Sequence, residues 1–152
     1  MDKDKHELKQ KKEKEIIPCV ENLFSLPIGH SETGHLIGSR CKKCEKVFFP
    51  KCFVCLNCLE RGEMEEVPLS RKGKLYCYTI VHQKVPGSMI EAPFIPIIVE
   101  LPEKIQVRSV LTEAHISEMN MDCIDREVEI VFEKIAENEE GKDLMTFKYR
   151  FI

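Results

Sequence analysis

The 152-residue chain has no tryptophan, and it has no run approaching the ~20 consecutive apolar residues of a transmembrane helix. Its first fifteen residues, MDKDKHELKQKKEKE, lack the apolar h-region of a secretory signal. Together these absences point to a cytoplasmic protein with no membrane partner. There is also no excess of positive charge. A net charge of −3 argues against a nucleic-acid partner for the chain as a whole. What the chain does have is eight cysteines. In a compartment where thiols stay reduced, they read as metal ligands or reactive thiols before disulfides. With 43% hydrophobic residues, the chain can also build an ordinary core.

Charge is unevenly spread. Ser39 to Cys58 carries +4 and Thr112 to Asp143 carries −8. Such polarity can orient a partner or draw an anionic ligand to one end; it can equally be solubility charge without function.

The hydrophobic period divides the chain. Residues 1–15 have no apolar face, so any helix there is frayed when alone. Ile16 to Phe24 (IIPCVENLF) has apolar residues near helical spacing, with Pro18 in the first turn, and predicts a short docking helix. Pro27 to Gly38 reads as a loop leading into a short strand near Leu36–Arg40. Leu59 to Lys72, with Gly62 and Pro68, reads as a polar linker. Strands follow at Lys74–Val85, Phe94–Leu101, Lys104–Leu111, Glu127–Ile135 and Leu144–Ile152, with a helical turn within Glu113–Met121. Pro96 places the start of its strand at an edge or bulge. Five strands and one short helical connection suggest a small Greek-key barrel of OB type.

Five cysteines fall between residues 41 and 58. Cys41-x2-Cys44 and Cys55-x2-Cys58 are two turns that can each point two thiolates at one ion. So short a module cannot bury a core, so metal binding must supply its folding free energy. Four cysteines leave no open position for water, so a zinc ion here is structural, not hydrolytic. Cys52, Cys55 and Cys58 also form a partial iron–sulfur run, but the following Leu59–Gly62 lacks the fourth cysteine and proline. A single iron in the same four-thiolate cage is a further alternative. Cys77 in an apparent strand reads as a small buried residue. Cys19 and Cys123 are ambiguous. Neither His82 nor His115 is spaced to activate a cysteine, and a surface or hydrogen-bonded role suits both better than catalysis.

The run Leu36–Cys58, LIGSRCKKCEKVFFPKCFVCLNC, resembles the rubredoxin-like zinc ribbon of the acyl-CoA-associated OB-fold proteins of domain-of-unknown-function family 35. Cys41 and Cys44 match that family's first knuckle, Phe48–Phe49–Pro50 its aromatic–proline run, and Cys55 and Cys58 its second knuckle. The alignment puts Cys52 at an arginine position, outside the ligand set. It thereby favours Cys41, Cys44, Cys55 and Cys58 as zinc ligands. Gly73–His82, Pro93–Phe94, Val128–Phe132 and Tyr149–Phe151 resemble the family's barrel strands. Glu45 stands where the family has glycine, Leu56 where it has proline, and Lys51–Cys52 where it has Pro-Arg. Any anion contact made by that arginine is left to Lys51, a point charge without the arginine fork.

The resemblance implies a mainly β fold: an N-terminal helix, a small rubredoxin-like zinc ribbon and a C-terminal five-stranded OB-fold barrel. The expected divisions are 1–34, 35–70 and 71–152. It implies an accessory subunit, not catalytic alone, that helps form or stabilise an acyl-CoA site at an interface shared with a thiolase-like enzyme. The charged leader is most similar to thiolase-paired members, a subgroup that includes a benzoylsuccinyl-CoA thiolase subunit. Partnership with a MaoC-like enoyl-CoA hydratase or a hydroxymethylglutaryl-CoA synthase is the alternative within the family. Outside it stand a nucleic-acid-binding ribbon and barrel, an enzyme with Cys77 or Cys123 as nucleophile, and a redox sensor at Cys52. Phe48 and Phe49 are expected to pack the ribbon onto the barrel in preference to flanking a pantetheine arm, because so small a module needs apolar cover.

Overall fold

A computed structural model describes residues 14–26 and 34–152. The expectations for residues 1–13 and 27–33 lie outside the described residues.

The alternating segments in the second half of the chain close into the expected barrel. Its strands are β6 (Lys72–Tyr78), β7 (Ile95–Glu100), β8 (Gln106–Leu111), β9 (Glu127–Glu137) and β10 (Asp143–Phe151). They run in the order β10-β8-β7-β6-β9, and β9 pairs with β10 to complete the circuit. Leu75, Ile97, Val99, Val107, Val128, Ile130 and Tyr149 point inward and are buried. The helical connection is two 3₁₀ turns, Ile116–Glu118 and Met121–Cys123. Pro96 lies where the β6–β7 ladder frays: beyond the Tyr78–Ile97 pair, Thr79 N–H donates to the Pro96 carbonyl at 3.0 Å. The strand expected to reach Val85 ends at Tyr78. Val81 keeps only a bridge to Phe94, and Pro86 and the left-handed Gly87 turn the chain back.

The docking helix expected over Ile16–Phe24 is not formed. Its place is taken by β1 (Ile16–Pro18) and β2 (Phe24–Ser25). β1 lies parallel to β10, with Ile17 opposite Leu144, and Cys19 N–H donates to the Met145 carbonyl at 2.8 Å. Open backbone groups on β10 offered these β-branched residues a ladder, which a helix would have left unmatched. Asn22, at φ 61°, then breaks any helical continuation.

The ribbon sheet holds β2, β3 (His35–Cys41), β4 (Val47–Phe48) and β5 (Met64–Pro68). β5 occupies what reads from sequence as linker. Its Met-Glu-Glu-Val-Pro pattern shows no alternation, but it pairs along all of Ile37–Cys41. Glu65 sits opposite Arg40 and accepts from its Nε at 2.8 Å.

Ribbon and barrel share one core. Phe24 is 3% exposed, and its ring centroid lies 5.6 Å from those of both Phe132 and Phe147. Phe49 meets Phe147 edge-on at 6.4 Å, as the need for apolar cover required. At Gly38 the approach is so close that a Cβ would stand 2.7 Å from Leu69 Cδ2 and 2.9 Å from the Phe48 carbonyl.

Several carboxylates of the acidic half are paired within the fold. Lys148 pairs with Glu133 at 2.8 Å, Lys134 with Asp143 at 2.6 Å, and Lys14 with Glu137 at 2.7 Å. Burial works to raise the Glu133 carboxyl, but Lys148 and the Thr112 hydroxyl outweigh it and hold the group below its ordinary value. Lys14, then Lys134, lower Glu137 in the same sense.

Two predictions follow from this packing. Phe24→Ala should cost about 3–5 kcal/mol in urea unfolding, because it opens the joint between ribbon and barrel; a loss under about 1 kcal/mol would mean that the joint does not depend on this ring. The lowered carboxyls contribute stability that is full above their unfolded value of 4.5 and is lost as pH falls through the lower folded values. Glu133→Gln should therefore flatten the acid limb of the stability–pH curve, and an unchanged limb would refute the assignment.

Candidate metal centre

Two loops carry the four cysteines, and their backbones repeat each other. In the first, Glu45 N–H donates to the Cys41 carbonyl at 2.8 Å and Cys41 N–H to the Lys46 carbonyl at 2.9 Å. In the second, Leu59 N–H donates to the Cys55 carbonyl at 2.8 Å and Cys55 N–H to the Glu60 carbonyl at 3.1 Å. Glu45 and Leu59 close the loops in the left-handed region, at φ 61° and 60°. The loops are held level by β3–β4 pairing on one side and by the Val54–Arg61 bridge on the other. Lys43 and Glu60 form an ion pair from one loop to the other.

This geometry gathers the sulfurs of Cys41, Cys44, Cys55 and Cys58, all within 4.8 Å of one another. Cys41 Sγ lies 3.7 Å from Cys58 Sγ, and Cys44 Sγ lies 3.5 Å from Cys55 Sγ. Metal–sulfur bonds of about 2.3 Å directed to the corners of a tetrahedron set sulfurs about 3.8 Å apart, so the donor set fits one ion. Cys41 and Cys55 are buried; Cys44 and Cys58 are half-buried.

The thiols ionise unequally. Burial opposes charge on Cys55, but the amide N–H groups of Cys58 and Asn57 outweigh it and lower its pKa to about 6. The amide N–H of Glu60 favours a thiolate on Cys58, but burial and the sulfurs of Cys55, Cys41 and Cys44 push it up to about 12. A bound cation would have to displace the proton from Cys58, whose surroundings oppose its ionisation.

Cys52 stands apart from the cluster. Its N–H donates to Ser39 Oγ at 2.9 Å, and its sulfur lies 3.6 Å from the same oxygen. Ser39 is a buried polar residue that sequence reasoning passed over. It fixes the chain between the two knuckles from within β3. Lys51, the substitute cation, pairs with Glu66 at 2.8 Å. Cys123 is buried, and its thiol faces the Glu118 carbonyl at 3.5 Å. Cys77 and Cys19 are half-buried. His82 and His115 are exposed, and neither makes a hydrogen bond to a cysteine sulfur.

Against known proteins, residues 32–65 match the ChsH2 rubredoxin-like zinc ribbon domain and residues 66–133 the ChsH2 C-terminal OB-fold domain. A DUF35 domain-containing scaffold protein of Methanocaldococcus jannaschii is 36% identical over 76% of this chain and 79% of its own length. The chain belongs to the DUF35 family. Another relative, the benzoylsuccinyl-CoA thiolase subunit BbsA of Geobacter metallireducens, is 33% identical over 97% of this chain and 98% of its own. BbsA of Thauera aromatica is 32% identical over the whole of both chains. The Ltp2-ChsH2(DUF35) aldolase structure shares the fold, with a TM-score of 0.62 at 21% identity over 77% of this chain and 84% of that one. No helix among the described residues is long and apolar enough to cross a membrane.

This DUF35 chain differs from a relaxed knuckle at Glu45, a side chain held left-handed with no compensating burial. Glu45→Gly should raise the free chain's stability by roughly 1 kcal/mol, read from thermal unfolding of the metal-loaded protein. A destabilised variant would show that the glutamate side chain earns its place.

Proposed function

We propose that this chain is the non-catalytic subunit of a thiolase-type acyl-CoA enzyme, and that Cys41, Cys44, Cys55 and Cys58 hold one structural zinc ion. The observation that carries the reading is end-to-end similarity to BbsA subunits, leader included. The Methanocaldococcus relative, a scaffold protein by name, supports a bridging role. The cysteine chemistry supports a structural site as well. Four thiolates complete a tetrahedral sphere and leave no position for a substrate or a water. Zinc suits this soft donor set without redox activity.

In this reading the chain's residues do mechanical work. The knuckles brace the ribbon, and the Phe24–Phe49–Phe147 joint fixes the ribbon against the barrel. The rigid pair then completes an acyl-CoA site on the partner by holding its surface in place. Neither His82 nor His115 is hydrogen-bonded to a cysteine sulfur among the described residues, and the Ser25 hydroxyl, 3.1 Å from His35 Nδ1, lies in the short β2–β3 ladder.

Co-expression with the thiolase-family polypeptides of the same genome tests the reading. One of them is expected to co-elute with this chain, and the complex to carry one zinc per copy by metal analysis. Cys44→Ser should lose both the metal and co-elution. Failure of every such polypeptide to co-elute, or a metal-free chain that still docks, would overturn it.

A further inference from the structure

The two knuckles share one backbone but not one surface. Their hydrogen bonds and left-handed closing residues correspond, so their side chains compare position by position. The first knuckle presents Lys42, Lys43 and Glu45. The second presents Leu56, Asn57 and Leu59 at the same places. Leu56 is 71% exposed, Leu59 is 74% exposed, and Phe53, three residues before Leu56, is 82% exposed.

Leu59 is the informative residue. A leucine at φ 60° is held in a conformation glycine would adopt without strain, and in the free chain its side chain packs against none of the core. Glu45 carries the same backbone strain, so what sets Leu59 apart is that the strained position leaves an apolar side chain exposed. Three apolar groups on a scaffold fixed by four cysteines form a rigid surface, ready to be covered without loss of backbone freedom.

The surrounding charge says what covers it. Lys42, Lys46 and Arg61 are exposed and make no ion pair among the described residues; Glu45 and Glu63 are the exposed, unpaired carboxylates near them, so the excess there is positive by one. Lys42 N–H donates to the carbonyl of Glu63, two residues after Arg61, at 2.7 Å, and Arg61 is bridged to Val54, the residue after Phe53. A second copy meeting this surface across a two-fold axis would set these cations against their equivalents. On another copy's acidic half, Glu129, Glu133, Glu137 and Asp143 are already paired with Arg150, Lys148, Lys14 and Lys134, so a self-contact would rest on its remaining carboxylates, and the sedimentation arm below tests it.

We propose that Phe53, Leu56 and Leu59 on the second knuckle are the anchor by which this chain docks on its thiolase-type partner, in an apolar hollow rimmed by carboxylates. The proposal rests on the functional reading above and adds the surface and its complement.

The test uses the full chain and the thiolase-family polypeptide that co-elutes with it. Leu56→Asp should weaken the complex by more than about tenfold, as loss of a central anchor does. Leu59→Gly should also weaken it by about tenfold, while the free variant keeps its full metal content and melts no lower than the parent. Lys42→Glu with Arg61→Glu should lower the association rate and remove most of its salt dependence. Two results would overturn the anchor alone: parental affinity in both leucine variants, or sedimentation showing that the free chain self-associates until Leu56→Asp makes it monomeric. If the parent chain binds no thiolase-family polypeptide, the functional reading fails and takes the anchor with it.

Discussion

Four cysteine sulfurs held within 4.8 Å of one another repel as thiolates, and that repulsion is what a metal ion removes. The ribbon's other features depend on it. Around the knuckles β4 spans only two residues, and the loops close through left-handed Glu45 and Leu59. So little backbone pairing and so few apolar contacts cannot repay the entropy of ordering the ribbon. The hydrogen bonds around Cys41 and Cys55 aim the sulfurs, and a bound ion would turn that aim into folding free energy.

The second dependence is the aromatic joint. Phe24 and Phe49, from separate parts of the ribbon sheet, converge on Phe147 of β10. Gly38 lets the β3 backbone lie against Leu69, with no room for a side chain. Cysteine cluster and joint lie in series: an ion held by the cluster would fix the knuckles to the ribbon strands, and the joint fixes those strands to the barrel. A surface on the knuckles is thereby held at a set distance from the barrel, which is what a subunit that shapes another protein's site requires. The charges fit the same arrangement. Glu129, Glu133 and Asp143 of β9 and β10 are paired internally, whereas the cations around the knuckles include Lys42, Lys46 and Arg61, which form no ion pair among the described residues.

The sequence made the barrel legible because each barrel strand buries one face, which imposes a period of two on residues such as Val128, Ile130 and Phe132. The metal centre was legible because its chemistry is local, with paired cysteines two residues apart. What local pattern could not show was pairing decided elsewhere. β1 forms because β10 offers an open ladder to Ile16–Pro18, so an apparently helical spacing was overridden by a distant partner. β5 forms because β3 needs a neighbour along Ile37–Cys41, although Met64–Pro68 has no alternation of its own. Ser39 escaped notice for a related reason: its role is a hydrogen bond to Cys52, thirteen positions away in sequence. The two-knuckle symmetry was present in the cysteine spacing, but the contrast between its charged and apolar faces emerges only once Glu45 and Leu59 are seen to occupy the same backbone position.

The central claim is that this DUF35 chain completes an acyl-CoA enzyme without supplying its chemistry. The most direct measurement is thiolytic or condensing activity on acyl-CoA substrates, assayed for the co-eluting thiolase-family polypeptide alone, for this chain alone and for the two together. The account predicts activity only in the mixture, with the chain inactive alone in its metal-loaded form. Full activity of the partner alone, or turnover by this chain by itself, would contradict it.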